Sequence, residues 1–231
     1  MKFHYTDLET CHTATGVVIV IDVLRAFTNA AFAFSRGAKE IYPVSKIKEA
    51  LQLKAQIPDS LVCGEEGGLP PEGFDFGNSP TQTNVLDLSG RVIVQRTGAG
   101  TQGIARSVNA EHMLAASMVV ASATARSVQQ LNPESITFVI TGQYAPEHGD
   151  EDLACAEYLE SLLRDQQPDP APYVERIIKS RDARLHLDPA LPEFPLSDLD
   201  HCTSIDRFDF AMLVSLVSKE SGRSILRAIK P

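Results

Sequence analysis

Apolar runs of strand length alternate with amphipathic helical stripes along this chain, and this alternation constrains its fold most strongly. Residues 17–21 form a continuous run of Val and Ile, which is typical of a strand covered on both faces in a parallel sheet. A helical stripe follows, made of Phe27, Ala30, Ala31 and Phe34. The change of period predicts a strand that passes directly into a helix at residues 22–25.

The same alternation continues along the chain. Further strands are expected at residues 40–44, 61–63, 92–95, 118–122 and 136–141, with helices between them. This order predicts an α/β protein with a layered sheet that is largely parallel or mixed. We expect one domain with a core at residues 15–165 and a C-terminal extension at residues 166–231. A late strand at residues 210–217 is expected to add antiparallel at the edge of the sheet.

The overall charge argues against a nucleic-acid partner. The net charge is −9 and the isoelectric point is near 5.1. Lys and Arg form no cluster of the kind that releases counterions from a phosphate backbone. An anionic ligand must therefore be held by local groups, such as an arginine, a helix N-terminus or a bound metal.

The targeting and cysteine patterns favour a cytoplasmic protein. The apolar run at residues 17–21 is too short for a signal peptide or a membrane span, so we expect no membrane partner. The four cysteines are far apart in the chain and form no Cys-x-x-Cys pair: Cys11, Cys63, Cys155 and Cys202. We therefore expect neither a zinc site nor a disulfide framework, but buried, reduced thiols.

Five short segments rich in acidic, glycine and hydroxyl residues lie where apolar runs stop. They are residues 22–25, 64–68, 74–80, 97–101 and 149–152. Ligands of α/β proteins collect at the carboxyl ends of the strands, so these segments are expected to meet in one cleft. Carboxylates and free backbone amides gathered there would hold a hard cation beside an anion. The pattern predicts a magnesium-dependent site for phosphoryl transfer.

Four carboxylates are the candidates for binding the metal or activating water. They are Asp22, Glu65, Asp75 and Asp152, and each follows a separate strand or loop. Magnesium commonly takes only one or two protein carboxylates, so two of the four would suffice. Two simpler interpretations stay open. Asp22 alone is typical of a helix N-cap, and the acids at residues 150–152 also complement the positive end of a helix.

The phosphate is expected to be held by one arginine and by loop residues. The candidates are Arg25, Asn78, Ser79, Gly100 and Thr101. Arg25 would also neutralise charge in the transition state, and we therefore count Asp22, Arg25, Glu65 and Asp152 as the candidate catalytic residues. The loop at residues 64–80 holds five Gly and three Pro in 17 residues, too many for a regular element, and a loop of this length is usually functional.

Other chemistries fit the sequence less well. Gly98, Gly100 and Gly103 match a dinucleotide-binding fingerprint, but the acidic residue expected about 20 positions later is missing. An NAD(P)-dependent oxidoreductase therefore remains a minor alternative. No cysteine is followed six positions later by the Arg of a thiolate phosphatase, and Asp22 lacks the second Asp of an aspartyl-phosphate enzyme.

The order of these motifs resembles the 2-phosphosulfolactate phosphatase family. The motifs are Ile21-Asp22-Val23-Leu24-Arg25-Ala26, Gly64-Glu65 with Gly67-Gly68, Phe74-Asp75-x-Gly77-Asn78-Ser79-Pro80, Gly100-Thr101, and Glu151-Asp152. The resemblance covers roughly residues 15–165 and implies a three-layer α/β/α fold. It also implies a Mg²⁺-dependent enzyme that hydrolyses 2-phospho-3-sulfolactate to 3-sulfolactate and phosphate on the route to coenzyme M.

Two positions depart from the family pattern. Glu66 stands where the family often carries Arg, and Ala99 stands where it often carries Asn. Altered site residues keep open a second hypothesis, a non-catalytic module that binds a phosphorylated metabolite. In either case the expected partner is a small anionic phosphorylated metabolite, and a homodimer is possible.

Overall fold

The computed structural model describes residues 1–142, 148–218 and 223–231. Within these residues nine strands form one sheet, with the spatial order β1-β7-β2-β6-β8-β9-β3-β5-β4. In chain order the strands are Lys2–Thr6 (β1), Gly16–Ile21 (β2), Glu40–Val44 (β3), Leu61–Gly64 (β4), Val92–Arg96 (β5), Ala110–Ala116 (β6), Ser135–Ile140 (β7), Ala211–Ser218 (β8) and Arg223–Ile229 (β9). The mixed, mostly parallel sheet confirms the predicted α/β class.

The sheet consists of two parallel blocks that are joined by an antiparallel hairpin. β1, β7, β2 and β6 are parallel neighbours, and so are β3, β5 and β4. β8 and β9 lie between the blocks and pair antiparallel with β6, with each other and with β3. The predicted late strand is therefore real, but its predicted place at the sheet edge is wrong. A run of apolar residues does not specify which strands will flank it.

Helices cover both faces of the sheet. Their bounds are Ala26–Ser35 (α1), Ile47–Gln56 (α2), Pro80–Thr83 (α3), Gly100–Arg106 (α4), Ala121–Gln130 (α5), Asp150–Leu163 (α6), Ala171–Lys179 (α7) and Leu196–Cys202 (α8). Alternate residues of β2 enter two different cores, Val18 and Val20 beside α1, and Ile19 and Ile21 beside α5 and α6. This alternation produces the three-layer α/β/α arrangement that the family resemblance implies.

The first helix is the centre of the molecule. Nine consecutive residues of α1, from Ala26 to Phe34, are buried. Side chains from both parallel blocks contact it, including Val18 of β2 and Ile93 of β5. The two blocks run in opposite directions, yet residues that follow β2, β4, β5 and β7 line one cleft. The sheet must therefore curl around α1 and bring these strand ends together.

One predicted strand is wrong in position. The residues Met118–Val120 form a short 3-10 turn, and the strand lies earlier, at Ala110–Ala116. The Met-Val-Val run is fully buried, and burial alone does not distinguish a strand from a turn that leads into a helix.

All four cysteines are buried and unpaired, in agreement with the predicted buried thiols. Among the described helices, none has the length and apolar character needed to cross a membrane.

Candidate active site

A cleft of about 550 Å³ opens at the carboxyl ends of four strands. Asp22 follows β2, Glu65 follows β4, Thr97 and Gly98 follow β5, and Thr141 follows β7. The far wall comes from the C-terminal part of the chain and contains Asp182, His186 and Phe194. β2 and β7 belong to one parallel block and β4 and β5 to the other, so acidic and glycine-rich segments from both blocks meet here.

Asp22 lies at the junction of β2 and α1, and its side chain is only 5% exposed. Its Oδ1 accepts a hydrogen bond from the backbone N–H of Ala26 at 2.8 Å, but the N-cap residue of α1 is Arg25, so Asp22 contacts the helix start without being its N-cap. Burial, and then the charge of Glu65, raise the pKa of Asp22 to about 6. A buried, charged carboxylate lowers the stability of the fold unless a ligand neutralises its charge.

Gly100 makes room for the Asp22 carboxylate. A Cβ at Gly100 would lie 2.7 Å from Asp22 Oδ2 and 2.8 Å from the Cβ of Ala26. Both distances are shorter than side chains tolerate, and the neighbours are buried. The glycine is therefore needed for the close approach of α4 to the start of α1.

We expect Gly100→Ala to lower kcat/KM about tenfold to a hundredfold, because it displaces the Asp22 carboxylate from the cleft. Steady-state kinetics and thermal unfolding of the purified variant would test this. Ala105→Ser, on an exposed position of the same helix, is the matched control. Kinetics equal to those of the wild type would show that the carboxylate position is not critical.

Glu65 joins two glycine loops. Its Oε2 accepts a hydrogen bond from the N–H of Gly68 at 2.8 Å, and its Oε1 accepts one from the N–H of Gly98. The preceding Gly64 has a φ of 130°, and a Cβ there would lie 1.8 Å from the carbonyl oxygen of Arg96. Only glycine allows β4 to end this close to β5, which delivers Glu65 to the cleft.

Two adjacent acids of the first turn of α6 have different environments. Asp152 is 2% exposed and accepts hydrogen bonds from the N–H of Val23 at 2.8 Å and of Gly142 at 2.9 Å. Glu151 is 3% exposed, and its Oε2 has no hydrogen-bond partner among the described residues. Both acids line the cleft. Asp152 thus ties the cleft loops together, whereas Glu151 presents an unpaired oxygen.

The acids of the cleft repel one another. Burial raises the pKa of Asp152 well above its ordinary value, with further contributions from the charges of Glu151 and Asp22. Burial, and then the charges of Asp182 and Asp22, raise the pKa of Glu151 to about 7. With Glu9 and Glu65, six carboxylates line a cavity whose described lining contains two arginines, Arg25 and Arg106. The cleft has an excess of negative charge that a divalent cation would neutralise.

Arg25 enters the cleft from the start of α1 and is 4% exposed. Its Nη1 donates to Asp198 Oδ2 and to the carbonyl oxygen of Glu193, both at 2.7 Å. The guanidinium lies 4.5 Å from the ring centre of Phe194. Asn78 also lines the cleft, and its buried Oδ1 has no partner within the part of the chain that the structure describes.

The structure brings Asp22, Arg25, Glu65, Asn78 and Asp152 together at one cleft, but it does not do so for Asp75. The Asp75 carboxylate accepts a hydrogen bond from the N–H of Val62 at 2.7 Å and pairs with Lys54 Nζ at 2.7 Å. The prediction that it shares a metal site with Asp22 is corrected, because the chain after β4 doubles back along that strand.

Three predicted phosphate ligands also lie outside the cleft lining. Ser79 Oγ donates to Asp198 Oδ1 at 2.8 Å, so its hydroxyl is used inside the fold. Thr101 is fully buried, and its hydroxyl pairs with Thr97 at the start of α4. Gly100 contributes space for Asp22 and lines no part of the cavity. The hydroxyl groups at these positions cap a helix and hold loops in place.

The two departures from the family pattern have different surroundings. Glu66 is 63% exposed and pairs with Arg96 Nη2 at 3.2 Å, so its charge lies at the rim and is partly balanced. Ala99 lines the cleft beside Gly98. Neither position carries a carboxylate that faces the cluster of acids.

Several cleft residues were missed in the sequence. Arg106 ends α4 and belongs to no motif, whereas Asp182, which begins a 3-10 helix, and Phe194, in a proline-rich stretch, follow the region of clear alternation. Within the described residues no group of three or more His, Cys, Asp or Glu side chains has the geometry of a complete metal site. A cation here would need ligands from substrate and water as well.

Comparison with known proteins shows a consistent similarity. A family model described as 2-phosphosulpholactate phosphatase matches residues 3–215. A protein of Bacillus subtilis named as a probable 2-phosphosulfolactate phosphatase is 36% identical over 197 residues, which covers 85% of this chain and 86% of that protein. A protein of Thermotoga petrophila with the same name is 33% identical over 206 residues, covering 86% of this chain and 87% of its own.

Proposed function

Since the chain belongs to the 2-phosphosulpholactate phosphatase family, we propose that this phosphoric monoester hydrolase acts on 2-phospho-3-sulfolactate. The products are 3-sulfolactate and inorganic phosphate, as on the route to coenzyme M. One observation carries the proposal: buried acids with raised pKa values face a cleft beside a buried arginine. Such perturbed groups are characteristic of active sites.

A magnesium ion fits the donor chemistry of this cleft. Asp22 and Asp152 both line it, burial raises the pKa of each, and the charge of Asp22 raises the pKa of Asp152 further. We propose that these two carboxylates hold the ion, since magnesium commonly uses one or two protein carboxylates together with water and substrate phosphate. When bound, the ion would act as a Lewis acid on the phosphoryl oxygens and raise the acidity of water.

The phosphoryl group is held by the neutral and cationic groups of the same cleft. Arg25 offers Nε and Nη2, since Nη1 makes its hydrogen bonds to Glu193 and Asp198. Asn78 supplies a side-chain amide to the same cleft. Glu65 does not touch the phosphate in this assignment, but it keeps the Gly68 and Gly98 loops in place. Charge on the equatorial oxygens grows in the transition state, and a guanidinium stabilises it there.

We assign the proton transfers to Glu151. Its buried Oε2 has no partner among the described residues, and it faces the cleft. Water attacks phosphorus and loses a proton to Glu151, while the bond from phosphorus to the ester oxygen breaks. The same proton then passes to the leaving alkoxide, so that 3-sulfolactate and phosphate are released with the enzyme restored. A pKa of about 7 suits both steps near neutral pH.

The glycine pattern that suggested a dinucleotide-binding protein has a structural explanation. Gly103 lies where α4 crosses the sheet, and a Cβ there would lie 2.5 Å from Val20 Cγ1. The third glycine of the fingerprint therefore serves helix-to-strand packing, which needs no nucleotide.

The decisive experiment is phosphate release from 2-phospho-3-sulfolactate by the purified protein. We expect release that requires added MgCl₂ and stops in EDTA. 3-Phosphoglycerate, a phosphomonoester with a carboxylate but no sulfonate, is the matched comparison substrate. Binding of the substrate without release at any magnesium concentration would instead favour the non-catalytic module.

A further inference from the structure

We propose that Asp198 is a positioning residue, which holds Arg25 in its working orientation without touching the substrate. This inference rests on the proposed function, in which Arg25 binds the phosphoryl group. Asp198 is fully buried in the first turn of α8 and does not line the cleft. It is separated from Arg25 by more than 170 positions in the chain, so local sequence gave no sign of the pair.

The two carboxylate oxygens of Asp198 accept hydrogen bonds from different donors. Oδ2 accepts the hydrogen bond from Arg25 Nη1 at 2.7 Å. Oδ1 accepts hydrogen bonds from Ser79 Oγ at 2.8 Å and from the N–H of Thr81 at 2.9 Å. Three donors from two distant segments thus converge on one carboxylate. The carboxylate cannot rotate without breaking a bond, and its orientation is fixed.

The other contacts of Arg25 come from the same C-terminal segment. The Glu193 carbonyl accepts from Nη1, and the Phe194 ring lies 4.5 Å from the guanidinium carbon. A Cβ at Gly68 would lie 2.3 Å from Phe194 Cζ, so the ring packs directly onto the glycine loop that Glu65 holds. Segment 193–198 therefore holds the Nη1 side of the guanidinium. The edge formed by Nε and Nη2 remains available to a ligand in the cleft.

A charged partner has a second effect on a buried arginine. Arg25 and Asp198 are 4% and 0% exposed, so the pair is almost completely shielded from solvent. Without Asp198, the guanidinium would be drawn towards the carboxylates that line the cleft, such as Asp22 and Glu65. We expect Asp198 to prevent this movement of the guanidinium and so to leave room for the phosphoryl group.

The test compares Asp198→Asn with the wild type in the full-length protein. We expect kcat/KM to fall about a hundredfold, because a displaced guanidinium no longer meets the phosphoryl oxygens. We also expect the dissociation constant of inorganic phosphate, measured by calorimetry with MgCl₂ present, to rise at least about tenfold. Asp198→Glu, which keeps the charge, should recover part of both losses.

Two controls separate positioning from simple stability. Leu53→Ala opens a cavity in the small core around α2, away from the cleft, and should lower the melting temperature without changing kcat/KM. The double variant Arg25→Gln with Asp198→Asn should lose no more activity than Arg25→Gln alone, since Asp198 acts through Arg25.

The outcomes are distinct. A folded Asp198→Asn protein with wild-type kcat/KM and phosphate affinity would overturn the inference and leave the proposed function intact. Losses that add in the double variant would also overturn it. If the wild type released no phosphate from any substrate, the proposed function would fail. The phosphate-binding comparison would then still decide the role of Asp198.

Discussion

Asp22→Asn is expected to reduce kcat about 10²- to 10⁴-fold, and we expect the fold to be retained. The substitution keeps the hydrogen bond that the Ala26 N–H donates at 2.8 Å, because an amide oxygen accepts it equally well. It removes the negative charge that would hold magnesium. Steady-state kinetics with increasing MgCl₂ would measure the effect, and the magnesium concentration for half-maximal rate should rise as well.

Asp75→Asn is the matched control for this experiment. Asp75 belongs to a motif of the same family pattern but pairs with Lys54 at 2.7 Å, outside the cleft. Its replacement should leave kcat within about twofold of wild type, because a half-exposed ion pair contributes little. If Asp75→Asn abolished turnover while Asp22→Asn did not, the assignment of the site would be wrong.

Glu151→Gln is expected to reduce kcat by about 10²- to 10⁴-fold and, in the absence of metal, to make the fold more stable at alkaline pH. The activity loss follows because an amide cannot take the proton of water. The bell-shaped dependence of kcat on pH should lose the limb that reports a group with a pKa of about 7. Kinetics from acidic to alkaline pH would test this.

The stability effect has a defined sign. The folded protein holds the proton of Glu151 up to a pKa of about 7, whereas the ordinary value is 4.5. Between these values the folded state binds more protons than the unfolded state, so the free energy of unfolding falls as pH rises through this window. At 1.36 kcal/mol per pKa unit, the rise from 4.5 to about 7 amounts to ~3 kcal/mol.

Urea unfolding in EDTA would measure this difference. Near pH 8 we expect Glu151→Gln to be more stable than the wild type by ~3 kcal/mol, and below pH 4.5 we expect the two to be nearly equal. Glu72→Gln, at an exposed position, is the control and should show no such dependence. A Glu151→Gln protein that is less stable than wild type at both pH values would contradict the buried-charge explanation.

The part of the site that could be predicted is the part made by strand ends. Asp22, Glu65 and Asp152 follow strands or open a helix at the sheet, and ligands of α/β proteins collect at such positions. Asp152 was predicted and its neighbour Glu151 was missed, although both line the cleft, because their roles depend on which of the two side chains receives backbone N–H groups.

The remaining residues depend on contacts between distant segments. Asp75 follows β4 in the chain, but its backbone N–H donates to the Val62 carbonyl at 2.8 Å, so the loop returns to the strand it has left. Asp198 looks like an ordinary first-turn acid of a short helix. Its importance comes from Arg25 and Ser79, which no local pattern connects to it. The fold class was predictable from periodicity, whereas these pairings were not.

The position of the β8–β9 hairpin has a consequence for how the molecule is made. Ala211–Ser218 and Arg223–Ile229 follow the other described strands in sequence, yet they join the two parallel blocks. During synthesis the facing edges of β6 and β3 therefore stay unpaired until β8 and β9 have been made. Sheet closure depends on contacts of long sequence separation, which are slow to form. Unpaired strand edges are sites at which incomplete chains associate, so we expect variants that destabilise this hairpin to aggregate during folding.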